Sequence, residues 1–356
     1  MIDTEKLYSL DDISIIPEVL SEIRSRKECN PFTESLEGSP DYLPVIAAPM
    51  DSVVDENNYG EFWGSGISCV IPRTTPLDVR LNLCGEVFCA FGIKELEDEF
   101  LEKTLYHNNL YVLIDIANGH MKYQIDLGKK LKSKYRNNLK LMGGNIANPD
   151  TYLIYNSSGF DYVRCGVGGG TGCITSVQNS IHYPMASLID NIQEIRNRLG
   201  NWKTKIIADG GIKNYSDVIK CICLGADYVM MGYTLSKTLE SSGDLMFEGS
   251  KISHSMAEKL FNDGEEITKE YHGMSTKTAQ AKILGIDLEE NRKLLKTSEG
   301  RTEIVKIEYT LPGWTDNLIS YIRSTMSYTG CYTLDELRSN SICRVISESS
   351  REKLCK

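Results

Sequence analysis

The chain has no apolar run long enough to cross a bilayer. Its most hydrophobic stretches, such as Leu110 to Ala117 and Tyr228 to Met231, are strand-sized, against the roughly 20 residues that a spanning helix needs. Met1 to Leu10 lacks a basic segment followed by an apolar one, so no signal peptide is expected. Positive charge is in deficit: 39 Lys and Arg stand against 49 Asp and Glu, a formal net charge of −10 in 356 residues. That balance argues against a nucleic-acid backbone as partner. It does not argue against a small phosphorylated ligand, which backbone N–H groups hold without net positive charge.

Metal and hydrolase signatures are missing too. The 11 cysteines contain no C-x-x-C pair, and Cys221 and Cys223, two apart, would point to different faces of a helix. Cys69, Cys89 and Cys165 lie inside apolar, strand-like stretches, where a cysteine is a small buried hydrophobe. Such usage fits a reducing, cytoplasmic setting. The five histidines, His107, His120, His182, His254 and His272, form no H-E-x-x-H and no i,i+4 pair. No G-x-S-x-G occupies a strand-to-helix turn. Zinc-protease chemistry and elbow-type Ser-His-Asp catalysis are therefore excluded.

What the chain does have is repetition. Eight runs are almost continuously apolar: Pro44–Pro49, Ile67–Ile71, Val87–Gly92, Leu110–Ile116, Leu139–Asn145, Tyr162–Val167, Lys205–Gly211 and Tyr228–Tyr233. Unbroken apolar runs are the mark of parallel strands buried on both faces. Between them lie segments of helical spacing, including Tyr123–Tyr135, Pro149–Ser157, Ala186–Leu199 and Tyr215–Leu224. The repeat predicts an α/β fold, a (β/α)₈ TIM barrel. A doubly wound sheet competes, and the evenness of eight repeats weighs against it. One catalytic barrel domain spanning 1–356 is expected, with an irregular excursion after strand eight at about 241–300.

A barrel carries its chemistry on the loops at the carboxyl ends of its strands, with phosphate commonly after strands seven and eight. That singles out Gly168–Thr175, Asp209–Ile212 and Gly232–Thr234. The loop Gly166-Val-Gly-Gly-Gly-Thr-Gly-Cys-Ile-Thr175 is neither a G-x-G-x-x-G fingerprint nor a P-loop. Its main chain can approach an anion or a monovalent cation closely. Cys173 is a candidate nucleophile there, set among backbone N–H groups. Asp209, before Gly210 and Gly211, suits a ribose diol, or else caps the helix beginning near Asn214. Asp115, in Ile-Asp-Ile-Ala-Asn-Gly-His120, is a cofactor or substrate contact, or a helix cap. Tyr271-His-Gly-Met-Ser275 and Ser298-Glu-Gly-Arg301 bracket a charged stretch that composition alone makes a solvated excursion.

These motifs occur together in one known order. Leu43-Pro-Val-Ile-Ala-Ala-Pro-Met-Asp-Ser-Val53, the Cys173 loop, Ile207-Ala-Asp-Gly-Gly-Ile212, Tyr271-His-Gly-Met-Ser275 and Arg323-Ser-Thr-Met-Ser-Tyr328 resemble the IMP dehydrogenase and GMP reductase family. The likeness runs from Ser9-Leu-Asp-Asp-Ile13 to about Val345. No CBS-sized insertion interrupts the chain between Ile67 and Leu110. Ile116–His120, Gly273–Ser275 and Thr297–Gly300 follow the reductase pattern. The Arg-Tyr pair with which the dehydrogenases activate water is absent between Met274 and Glu299. Ala48–Asp51 and Arg164 are closer to the dehydrogenase pattern, and Phe247–Glu270 looks inserted.

For a GMP reductase the resemblance implies that Cys173 attacks C2 of the purine, ammonia leaves with proton help from Thr175 and Glu299, and NADPH supplies a hydride. Substrate contacts carry over to Thr171, Asp209, Gly210, Gly211, Gly232, Tyr233, Tyr271, Gly273, Met274, Ser275, Ser298 and Gly300. Ser25, Arg26, Asp115 and Ala117 are cofactor candidates. Arg73 would face the 2′-phosphate, or is a solvated rim charge. K⁺ would sit on carbonyls of Gly168, Gly170 and Cys173. The family further implies a cytoplasmic homotetramer acting on GMP and IMP. Two other functions stay open: a CBS-less IMP dehydrogenase using NAD, and a non-catalytic purine-nucleotide-binding barrel.

Overall fold

Alternation within the apolar runs sorts their side chains into two cores. The computed structural model describes residues 4, 6–170, 175–288, 295, 297–298 and 300–354. After an outlying strand β1 (Ile13–Ile16), the eight expected strands form in order: β2 (Val45–Ala47), β3 (Ser68–Ile71), β4 (Phe88–Phe91), β5 (Leu110–Ile114), β6 (Leu139–Ile146), β7 (Tyr162–Cys165), β8 (Lys205–Asp209) and β9 (Tyr228–Met231). Each pairs in parallel with the next, and β2 pairs in parallel with β9, so the sheet closes. Closure excludes the open doubly wound sheet. Helices cross between strands over Lys122–Tyr135, Thr151–Ser157, Met185–Leu199 and Tyr215–Cys223.

One set of alternating residues, among them Ile46, Val70, Phe88, Leu113, Met142, Ile207 and Met230, fills the barrel. The other, including Val45, Cys69, Cys89, Val112, Leu141, Cys165 and Val229, packs outward under the helices. The amino-terminal end of the barrel is plugged by the segment around Leu36. Tyr111, Tyr162 and Tyr228 donate their hydroxyls to the carbonyls of Glu37, Leu36 and Glu34 at 3.4, 2.9 and 2.8 Å. The opposite end is left for chemistry.

The stretch after β9 is more regular than its composition suggests. It supplies β10 (Leu245–Phe247), β11 (Ser250–Lys251) and β12 (Thr268–His272). With β13 (Thr302–Lys306) these make a four-stranded antiparallel sheet in the order β11-β10-β12-β13. Helix His254–Asn262 packs on it through Ala257, beside Leu245, Ile267 and Ile307. The charged stretch beyond Ser275 opens with helix Lys277–Leu284, which buries Ala279 and Ala281; this part is not a solvated loop. Near the chain's end, β14 (Ile342–Val345) pairs antiparallel with β1.

Candidate active site

The glycine loops after β7 and β8 lie against each other, backbone to backbone. At Gly166, φ is +129° and a Cβ would stand 2.2 Å from the Asp209 carbonyl oxygen. At Gly210, φ is +106° and a Cβ would stand 3.1 Å from the Gly170 nitrogen. Side chains at these two positions would push the loops apart. Gly168 turns its carbonyl toward helix Thr175–Asn179 and accepts from Ser176 Oγ at 2.8 Å.

Asp209 does not cap the following helix. Asn214 does, accepting from the Asp217 N–H at 3.0 Å. The Asp209 carboxylate is drawn inward instead, where Oδ2 accepts from Arg164 Nε at 2.8 Å and from Asn145 Nδ2 at 2.7 Å. Asp115 is no cap either, since the next helix begins at Lys122 after Met121. Its Oδ1 accepts from Arg164 Nη1 at 3.2 Å. Arg164 thus ties the ends of β5 and β8 together from within β7. Burial works against its charge, but Asp209 and Asp115 outweigh it and hold the pKa above the ordinary arginine value. A guanidinium inside an otherwise apolar strand was the signal in the sequence for this network, and its two carboxylate partners lie far along the chain.

Next to these loops, Gly232 lets the β9 end approach the loop after β2: a Cβ there would stand 2.6 Å from Met50 Sδ. The Tyr233 ring meets Tyr271 edge-on, with centroids 5.2 Å apart. Gly273, Met274 and Ser275 form the turn that follows Tyr271. Gly300 packs on this turn, 3.2 Å from Cβ position to the Gly273 oxygen, and Ser298 Oγ donates to the Gly300 carbonyl at 3.1 Å. Asp209, Gly210, Gly211, Gly232, Tyr233, Tyr271, Gly273, Met274, Ser275, Ser298 and Gly300 are thereby distributed around the carboxyl ends of the strands. Thr171, Cys173 and Glu299 lie outside the described residues, as does the side chain of Thr175.

The cofactor candidates fall into separate places. Asp115 and Ala117 follow β5. Ser25 and Arg26 form an exposed turn against helix Leu311–Thr329. Arg73 is not a solvated rim charge: it is half-buried, 3.5 Å from Glu95. That contact is made by Nε, which is buried and faces Glu95 Oε2, so a carboxylate already stands where this N–H points. For K⁺, the carbonyls of Gly168 and Gly170 are hard oxygen donors of the right kind, although the first already accepts from Ser176. Among the described residues, no cluster of His, Cys, Asp and Glu has the make-up of a metal centre, and no helix is long and apolar enough to cross a membrane.

Residues 82–354 match the family model described as the IMP dehydrogenase / GMP reductase domain. The chain belongs to that family. A GMP reductase of Vibrio vulnificus strain YJ016 is 26% identical over 364 residues, covering 98% of this chain and 97% of that protein. A GMP reductase of Lactobacillus delbrueckii subsp. bulgaricus is 28% identical over 345 residues, covering 93% and 92%. An inosine-5′-monophosphate dehydrogenase of Borreliella burgdorferi is 33% identical over 243 residues, covering 67% of this chain and 55% of that protein. Asn145 and Arg164 bond the Asp209 carboxylate and Met50 lies against Gly232; of these three, Asn145 is the one that no sequence motif brought forward.

Proposed function

We propose that the chain is a GMP reductase, converting GMP to IMP and ammonia with NADPH. One observation carries the choice between the family's two activities. The relatives named GMP reductase align with this chain nearly end to end, whereas the named dehydrogenase aligns with 67% of this chain and 55% of its own length. The missing Arg-Tyr pair between Met274 and Glu299 agrees, because a reductase has no water to activate.

In this reading the Cys173 thiolate adds to C2 of the purine, and Thr175 and Glu299 carry the proton that lets ammonia leave. Asp209 takes the ribose through the carboxylate that Arg164 and Asn145 hold in place. Gly210, Gly211, Gly232 and Tyr233 present N–H groups to the phosphate. Thr171, Tyr271, Gly273, Met274, Ser275, Ser298 and Gly300 frame the base. Bound NADPH would supply a hydride; Asp115, Ala117, Ser25 and Arg26 would hold it, with Arg73 supplying charge for the 2′-phosphate. K⁺ would rest on Gly168, Gly170 and Cys173 carbonyls and order the glycine loop. The enzyme would work in the cytoplasm as a homotetramer, which sedimentation would test.

A second reading, an IMP dehydrogenase without CBS domains, has in its favour the 33% identity to the Borreliella burgdorferi protein and the dehydrogenase-like Ala48–Asp51. Incubation with GMP and NADPH, and separately with IMP and NAD⁺, followed by nicotinamide absorbance, decides between them. Loss of NADPH dependent on GMP supports the reductase. NADH formed from IMP overturns it. Tight nucleotide binding with no turnover in either mixture would leave a binding barrel.

A further inference from the structure

Lys269 is fully buried, and its ammonium faces oxygens that are not carboxylates. Nζ donates to the Ser52 carbonyl at 2.8 Å, to Ser241 Oγ at 2.5 Å and to the Ser242 carbonyl at 2.6 Å. Three N–H groups therefore meet three acceptors, which suits the charged form. Burial pulls the other way, pushing the pKa down to about 7, with Asp55 raising it in part. A buried ammonium is costly unless its hydrogen bonds are complete, so its presence in β12 calls for a reason.

That reason lies two residues along the strand. Lys269 and Tyr271 share a face of β12 by strand alternation. Tyr271 reaches the barrel mouth, its hydroxyl 3.9 Å from Met50 Sδ. A second attachment follows at once. His272 Nε2 stands 2.8 Å from Asp51 Oδ1, and Lys282 Nζ, from helix Lys277–Leu284, stands 2.7 Å from Asp51 Oδ2. Although burial opposes it, His272 and Lys282 hold the Asp51 carboxyl below its usual range. Glu270 lies 3.4 Å from the other ring nitrogen of His272. Three basic side chains from the excursion thus converge on two consecutive residues, Asp51 and Ser52, of the loop after β2.

We propose that Asp51–Ser52 is a docking post and that Lys269, His272 and Lys282 are positioning residues, fixing where the turn Gly273–Ser275 stands over the barrel mouth. A slip of β12 by one residue, about 3.3 Å, would break every one of these contacts. The post acts on the base-framing turn without touching the substrate, so the assignment rests on the reductase reading above.

The test compares Lys269→Met and Lys282→Met with the wild type in kcat, KM for GMP, and amide hydrogen exchange of the nucleotide-free protein. Lys282 is half exposed, so its variant keeps the test available if Lys269→Met fails to fold. Faster exchange in 268–284, with barrel strands unchanged, is expected in both. A fall in kcat/KM of about tenfold or more is expected for Lys269→Met, because a small misplacement of framing groups is costly in the chemical step. Values of kcat/KM within about twofold of wild type would overturn the proposal, whether or not exchange changes. Should the wild type turn over neither substrate pair, the reductase reading falls separately. GMP affinity then replaces kcat: weaker binding with faster exchange supports the post, and unchanged affinity overturns it.

Discussion

Of the thiols described, those of Cys29, Cys69, Cys84, Cys89, Cys165, Cys221, Cys223, Cys331 and Cys343 all have their pKa raised, with burial the largest cause. None is poised as a thiolate, which concentrates the nucleophile argument on Cys173. Cys173→Ser should abolish turnover while GMP binding, measured by calorimetry, stays within about an order of magnitude. Equal loss of binding would assign the residue to the pocket rather than to the chemical step. At the far end of the barrel, Glu37 makes a different residue-scale prediction. Its Oε1 is buried without a hydrogen-bond partner, and burial raises its pKa from 4.5 to about 7. Between those values the folded chain keeps a proton that the unfolded chain has lost. Stability therefore falls as pH rises through this window and stays lowered above it. Glu37→Gln removes the titration. It should raise Tm by roughly a few degrees near pH 8 and much less near pH 5, as read by scanning calorimetry at both. A gain independent of pH would exclude the carboxyl as its source.

At the scale of elements, how legible a segment is in the sequence follows from how it is buried. Strands β2 to β9 are covered on both faces along most of their length, so each announces itself as an almost continuous apolar run. Strand β13 alternates with only Val305 fully buried, and β11 is exposed throughout; no periodicity of two emerges from such short edges. The excursion therefore looks irregular until its pairing is seen. Asp209 shows the other limit. An Asp-Gly-Gly before a helix fits a cap as well as a ligand contact, and the deciding partner, Arg164, is 45 positions away. The capping role belongs to Asn214, so Asn214→Ala should lower unfolding free energy by about 1 kcal/mol in urea titration. A loss well below this would mean that tertiary packing holds the first turn of helix Tyr215–Cys223 without the cap.

At the scale of the whole molecule, barrel closure removes the edges of the eight-stranded sheet, and two segments from opposite ends of the chain join in a separate two-stranded ribbon. Strand β1 pairs with β14 from Ile13 with Val345 to Ile16 with Ile342. Beyond the strand, the Ile346 N–H donates to the Asp12 carbonyl at 3.0 Å, and Arg351 Nη1 pairs with Asp12 at 2.9 Å. Both strands pack against helix Tyr215–Cys223, which follows the Asp209 loop. The terminal ribbon is thus a brace behind the helix that carries part of the proposed phosphate site. Truncation after Asn340 leaves β1 with an unpaired edge and uncovers that helix, while every strand of the barrel retains both neighbours. The truncated chain should keep its far-ultraviolet dichroism and melt at lower temperature, with amide exchange faster in 13–16 and 215–223 and unchanged in β4 to β6. If exchange rises equally throughout, the ribbon is part of the cooperative core and the barrel does not stand without it.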